Sequence, residues 1–339
     1  MTTMPRTVLA AGYVPLDIVV FGKRVWRAAG GTAGNVAAIL SFLGWRSGVI
    51  ADLGDDAAGR EVLRDLRKAN VDTGRIRLCP DRRSPRVIHE IRAESHRFVF
   101  RCPACGSRFP HSRPLPLERA DALAGVEDPP DVFFFDRLNA GTIRLAEHFA
   151  GAGSTVVFEP ARVGQPRLLQ RAIAVADVVK YSDERIEHLE AYCSPKRRQM
   201  RVMTRGAAGA RYRVGNARWF DSPAYPYPVV DAGGAGDWTT AGLIHALGSR
   251  PTSARAVGDA LRWAQALAAV SCGAPGARGL ARQQTAEAVL RAAHFLENHR
   301  AGDPPLRRVV GRRSTKAADG LCDYCLLPMA SRAVRSDAS

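Results

Sequence analysis

The chain has 339 residues, 46% of them hydrophobic, with 49 Lys and Arg against 33 Asp and Glu for a formal charge of +16. That length holds one large α/β domain with additions or two modest domains, and no apolar run approaches the roughly 18 residues that a bilayer span needs. The basic balance raises nucleic acid as a partner, but the Arg residues are scattered and lack the interleaved aromatics of a single-strand platform, so a solvated surface attractive to phosphorylated ligands is expected instead.

In chain order, Val8-Leu9-Ala10-Ala11-Gly12 reads as a central parallel strand; it is too short for the apolar core of a secretory signal, so a cytoplasmic location is expected. Asp17 follows, and Ile18–Trp26, rich in β-branched and aromatic residues, reads as a second strand. Gly30-Gly31-Thr32-Ala33-Gly34-Asn35 opens a helix over Val36–Leu43, stopped by Gly44. A strand at Ser47–Leu53 and a Gly54-Asp55-Asp56 loop precede an amphipathic helix over Ala57–Ala69. Val87–Ile91 and Phe98–Arg101, joined through Glu94-Ser95-His96, predict a hairpin. Cys102–Pro116, rich in Cys, Pro and Arg, interrupts the pattern.

Alternation resumes with strands Val132–Phe135, Thr155–Phe158, Val178–Lys180 and Arg201–Thr204 and helices Ala140–Ala150, Arg167–Ala176 and Asp183–Tyr192. This order implies a mostly parallel sheet with helices on both faces. Small basic clusters stand at Lys196–Arg198 and Arg307–Arg313. Beyond His299 the chain is polar, with Pro304-Pro305, and reads as an extension.

The most informative segment is Val229-Val230-Asp231-Ala232-Gly233-Gly234-Ala235-Gly236-Asp237, followed by Trp238–Leu247. A strand ends, small residues turn tightly, and a helix starts at or near Asp237. Converging N–H groups at a helix N-terminus hold phosphate oxygens. A carboxylate beside them can accept the proton of an attacking hydroxyl, the one proton transfer that phosphoryl transfer requires.

Asp231–Gly242 resembles the second signature of the PfkB (ribokinase-like) carbohydrate and nucleoside kinases, D-x-x-G-A-G-D followed by a helix. Gly30-Gly31-x-x-x-Asn35, with Gly44 and Gly54-Asp55-Asp56-x-x-Gly59, resembles the first. Gly12 and Asp17 fall where the family's first strand presents a substrate-binding Asp, and Thr204-x-Gly206-x-x-Gly209 is similar to its nucleotide motif. The resemblance spans about residues 7–295 and implies a three-layer α/β/α fold with a central mostly parallel sheet and a small β lid at about 13–28 and 84–113. Residues 1–300 would form the kinase domain and 301–339 an extension.

What the resemblance implies for single residues follows from the matched positions. Asp237 would be the catalytic base, and Gly234, Ala235 and Gly236 the anion hole. Asp17, Gly31 and Asn35 would bind a small-molecule hydroxyl substrate. Thr204, Gly206 and Gly209 would line the ATP pocket, with Ala264 and Gln265 near the adenine, and Mg²⁺ would accompany the phosphates. Lid strands in this family often pair across a dimer, so a homodimer is an expectation.

Three departures stand out. Ser182-Asp183-Glu184-Arg185 replaces the family's Asn-x-x-Glu, which helps organise Mg²⁺; Glu184 or Arg185 would have to serve there. Ala232-Gly233 replaces the usual threonines and weakens a monovalent-cation site. Glu159-Pro160 stands where Asp-Pro is common.

Cys102-Pro-Ala-Cys105 and Cys322-Asp-Tyr-Cys325 are C-x-x-C knuckles whose thiolates suit one tetrahedral Zn²⁺. Cys₄ closure between the lid region and the tail would be an elaboration of the fold; two free pairs or a reversible disulfide within either pair are the alternatives. His111 is a weaker ligand candidate, and Cys79, Cys193 and Cys272 read as packing residues.

The functional expectation is an ATP-dependent kinase acting on a hydroxyl of a sugar or sugar-like molecule. A nucleoside kinase is the alternative within the fold, with Phe98 and Phe100 able to stack on a base. A catalytically silent binding protein is the alternative outside it, favoured by the altered Ser182–Arg185 segment.

Overall fold

The computed structural model of the chain describes residues 5–92, 95–193, 198–248, 253–299, 321–322 and 324–327. Nine strands build one sheet in the order β13-β12-β11-β10-β9-β8-β1-β4-β5. They are β1 (Thr7–Ala11), β4 (Arg46–Gly54), β5 (Ile76–Cys79), β8 (Val132–Phe135), β9 (Thr155–Phe158), β10 (Val178–Ser182), β11 (Met200–Thr204), β12 (Ala210–Val214) and β13 (Phe220–Ser222). From β5 to β11 every pairing is parallel, and β12 and β13 close that edge antiparallel.

A strand covered on both faces must be apolar at every position, and β8, Val-Phe-Phe-Phe, is buried throughout. Val132 and Phe134 face the layer of α1 (Thr32–Phe42), α6 (Ala235–Leu247), α7 (Ala254–Ser271) and α8 (Ala286–His299). Phe133 and Phe135 face that of α4 (Ala140–Gly151) and α5 (Pro166–Val175). The result is the expected three-layer α/β/α architecture.

A second sheet, β3-β2-β6-β7, is the lid. It comprises β2 (Leu16–Phe21), β3 (Arg24–Ala29), β6 (Arg86–Ile91) and β7 (His96–Val99). The strand expected over Ile18–Trp26 is therefore two: the chain turns at Gly22-Lys23 and returns antiparallel, Val19 opposite Trp26. Apolar residues on both sides of that turn had masked it.

The helix expected over Asp183–Tyr192 reduces to one 3₁₀ turn, Leu189–Tyr192. The expected break over Cys102–Pro116 is followed at once by α3 (Leu117–Ala124). Helix α1 starts at Thr32, four residues before the expected start at Val36, because Gly31 caps it with φ 73°. Helix α2 (Ala57–Lys68) is capped by Asp56, whose side chain accepts from the Gly59 amide at 2.8 Å. Among the described residues no helix is long and apolar enough to cross a membrane. Glu94 in the hairpin connection, the cluster expected at Lys196–Arg198 apart from Arg198, that at Arg307–Arg313, and the extension 301–339 apart from 321–322 and 324–327 lie outside the described residues.

Candidate active site

The lid strands β2 and β3, α1 and the segment that follows α7 enclose one pocket, lined in part by Asp17, Trp26, Asn35, Gly276 and Arg278. Asp17 reaches it from β2, with its carboxylate over Gly30, where any side chain would overlap it. Asn35, on the second turn of α1, donates from Nδ2 to Asp237 Oδ2 at 2.7 Å. Asn35 thus joins Asp237 of α6 by a hydrogen bond and shares a pocket with Asp17 of β2.

Two acceptors in this pocket are orphaned: Asp17 Oδ1 and Asn35 Oδ1 are buried and accept no hydrogen bond. Leaving a buried acceptor unsatisfied costs about 1–3 kcal/mol, so the pair is preorganised for donors such as ligand hydroxyls. Burial raises Asp17 to about 6, against the opposing charges of His89 and Arg278. Arg278 is itself anchored: its Nη2 donates to Asp65 Oδ2 at 2.5 Å, beside the Arg282–Asp65 pair.

The turn before α6 is held from several sides. Gly234 caps α6 with φ 94°, and a Cβ there would run into Ala277; only glycine suits both constraints. Trp238, fully buried, donates from Nε1 to Ala277 O at 2.8 Å. The helix thus begins at Ala235, which places Asp237 in its first turn; the Ala235 amide closes the preceding turn on Ala232 O at 3.2 Å, and the amides of Gly234 and Gly236 have no intrahelical partner. Burial, and then the charge of Glu159, push Asp237 up to about 7; the hydrogen bond from Asn35 and the charges of Lys180 and Arg185 oppose the rise.

Motif reasoning missed the network beneath this turn. Lys180 on β10, 2% exposed, donates from Nζ to Glu159 Oε1 at 2.7 Å and to the Gly236 carbonyl at 2.9 Å. Thr240 donates to Glu159 Oε2 at 2.6 Å. The available signal was a lysine inside an apolar central strand, Val178-Val179-Lys180-Tyr181, where a buried charge needs a partner.

On the nucleotide side, Thr204 ends β11 and donates to Tyr181 O at 3.3 Å. Gly206 and Gly209 bound a tight loop in which the Arg205 amide bonds Gly209 O at 2.8 Å. Glu184 approaches this loop, its carboxylate 3.8 Å from where a Cβ on Gly206 would lie. On α7, Gln265 Nε2 is buried and unpartnered, while Ala264 is packed against Gly242 in the α6–α7 contact. A helix-start amide cluster and a glycine loop are groups of the kind that hold the phosphates of a nucleoside triphosphate.

The two C-x-x-C knuckles meet. Cys102 and Cys322 sulfurs are 3.8 Å apart, Cys105 and Cys325 sulfurs 3.7 Å, and all four lie within 4.8 Å of one another. His111 is not in the cluster, and Cys79, Cys193 and Cys272 stand apart from it. The tail knuckle is tied to the lid by Arg86 at the start of β6. Fully buried, it donates from Nε to Cys325 O at 2.7 Å and from Nη2 to Asp56 at 3.0 Å.

Comparison with known proteins agrees with this arrangement. The family model described as pfkB family carbohydrate kinase matches residues 11–284. A fructokinase of Klebsiella pneumoniae is 29% identical over 292 residues, covering 78% of this chain and 93% of that one. Among solved structures, a Vibrio cholerae fructokinase with fructose, ADP and potassium ion superposes with TM-score 0.67 at 23% identity, covering 84% of this chain and 98% of that one. An aminoimidazole riboside kinase from Salmonella enterica, complexed with aminoimidazole riboside and an ATP analogue, does so with TM-score 0.66 at 21% identity, covering 85% and 100%. At these identities the structural likenesses establish the fold.

Proposed function

The chain belongs to the pfkB family of carbohydrate kinases and is a phosphotransferase with an alcohol group as acceptor, and from that premise we propose that it transfers the γ-phosphoryl group of ATP to a hydroxyl of a sugar or sugar-like small molecule, with Asp237 as the base. The observation that carries this reading is the hydrogen bond from Asn35 to Asp237 beside two orphaned acceptors in one pocket.

When bound, ATP with Mg²⁺ supplies the transferable group and part of its charge neutralisation. The chain's own residues do the rest. Asp17 Oδ1 and Asn35 Oδ1 accept hydrogen bonds from acceptor hydroxyls and fix their orientation. Asp237 takes the proton of the attacking hydroxyl, and its position near neutrality suits a general base. The amides of Gly234 and Gly236 receive negative charge, with that of Ala235 beside them held by Ala232 O. Thr204, Gly206, Gly209 and Gln265 line the nucleotide side, and Glu184 takes the place of the missing family Glu. The lid over the pocket excludes water, so that transfer outruns hydrolysis.

The four cysteines hold a structural Zn²⁺. Tetrahedral Zn–S bonds of about 2.3 Å require sulfurs about 3.8 Å apart, the spacing found for both cross-pairs. The kinase domain is assigned to residues 1–300 and the extension with the second knuckle to 301–339.

The test is a screen of fructose, ribose, other sugars and nucleosides for acceptor-dependent ADP release, with Asp237→Asn as control. Release with a sugar, abolished in the variant, is the expected result. Release only with nucleosides would move the assignment to the riboside kinases. No acceptor-dependent release would favour the silent binding protein to which the Ser182–Arg185 departure points.

A further inference from the structure

The lid carries a cluster that phosphoryl transfer does not use. His89 on β6 and His96 on β7 share one lid face, since His96 pairs with Ile91, two residues on from His89. Their rings are edge to face with centroids 5.3 Å apart. Opposite them stands Asp231, at the head of the turn that leads into α6. His89 Nε2 is 3.3 Å and His96 Nδ1 3.9 Å from Asp231 Oδ1. All three ligand atoms lie within 4.8 Å of one another.

Two further observations point to a ligand between them. His89 is 1% exposed, and its Nε2 faces Asp231 Oδ1 at 3.3 Å without the alignment of a hydrogen bond. A buried ring nitrogen without a partner is costly unless something binds it. The Asp231 side chain is fully buried. The amides of Gly233 and Gly276 each donate to its carboxylate at 2.8 Å. This buried anion has no Lys or Arg partner among the described residues; the two imidazoles are the cationic groups within ion-pair reach. A divalent cation neutralises the carboxylate and uses the lone pairs of two neutral rings.

We propose that His89, His96 and Asp231 form a binding site for a borderline divalent transition-metal cation of the Zn²⁺ class, which fastens the lid to the turn before α6. Metal–ligand bonds of 2.0–2.2 Å in a tetrahedron give edges of roughly 3.4 Å, near the two contacts observed. Two imidazoles and one carboxylate select Zn²⁺ or Co²⁺ over Mg²⁺, which prefers oxygen. Three protein ligands leave one position for water or an oxygen of a bound ligand. Gly233 contributes by absence, because a Cβ there would overlap the His89 ring. The site is separate from the four cysteines and does not rest on the kinase assignment.

The experiment uses the full chain without nucleotide. Residual metal is counted by mass spectrometry after dialysis against a chelator, and Co²⁺ is then titrated under reducing conditions. The expected result is one equivalent bound beyond any held by the cysteines, with weak d–d bands and no thiolate charge transfer. His89→Gln/His96→Gln loses this equivalent and Cys322→Ser keeps it. His96→Gln alone, altering the partly exposed ring, weakens binding by roughly tenfold or more. Zn²⁺ added to the unaltered chain should shift the side-chain ¹⁵N resonances of both histidines, a readout independent of variant folding. An unchanged metal count in the double variant, or resonances that stay put, overturns the proposal.

Discussion

Replacing Asp237 with Asn should abolish transfer and stabilise the protein at the same time. An isosteric amide keeps an oxygen to accept from Asn35 Nδ2, so the geometry of the pocket is preserved while the ionisation is removed. The carboxyl titrates at 3.8 in the unfolded chain and about 7 in the folded one. Its folded form therefore holds the proton more tightly. The associated stability is fully present below pH 3.8 and is lost as pH rises through about 7.

At 1.36 kcal/mol per tenfold, the complete span is worth about 4 kcal/mol. Water reaching the half-buried carboxyl lowers this to about 2 kcal/mol. Urea unfolding of both proteins at pH 5 and pH 8 measures it, because other titrating groups cancel in the difference between them. The variant should gain about 2 kcal/mol over the parent at pH 8 and clearly less at pH 5. A variant equal to or weaker than the parent at pH 8, with no change in the difference between the two pH values, would refute the assignment of Asp237 as a strained, desolvated base.

The pH profile of kcat/KM should rise about tenfold per unit below pH 7 and level above it, which initial rates across pH 5–9 will register. Asp17→Ala should lower kcat/KM by roughly ten- to a hundredfold, chiefly through KM, since it removes a charged acceptor for a substrate hydroxyl; initial rates over a range of acceptor concentrations read it. Lys180→Met should destabilise by about 3–5 kcal/mol in urea unfolding by leaving the Glu159 charge buried without its cation; the double variant Lys180→Met/Glu159→Gln should recover part of that in the same measurement. Cys322→Ser should release zinc, read by a metallochromic dye, and lower the melting temperature. An equal metal content in that variant and the parent would exclude the shared site.

The glycine-rich turn before α6 was legible because its chemistry is local. Within seven residues, Asp231 to Asp237 state a turn that needs glycine and a helix start with a carboxylate in its first turn; the strand expected to end at Val230 is not formed, the chain being irregular from the end of β13 to α6. The parallel strands were legible for a similar reason: Val-Phe-Phe-Phe at β8 has no polar position and must be covered on both faces. The hairpin at Gly22-Lys23 was not, because β2 and β3 have similar apolar residues on either side of a two-residue turn.

Long-range partnerships were the least legible. Nothing in the spacing of Lys180, Glu159 and Thr240 says that they meet under Gly236. Asp65, on an otherwise apolar helix face, gave no hint of Arg278 and Arg282 more than two hundred residues away. The C-x-x-C pairs were visible individually, and their meeting depends on how the tail returns to the lid.

The central claim is that the carboxylate of Asp237 deprotonates an alcohol at the amide cluster opening α6. Single-turnover transfer from γ-labelled ATP to the best acceptor, in the parent and in Asp237→Asn at saturating nucleotide, tests it most directly. The account predicts near-equal ATP affinity and transfer slower by about 10²- to 10⁴-fold in the variant. Transfer at the parental rate would contradict it.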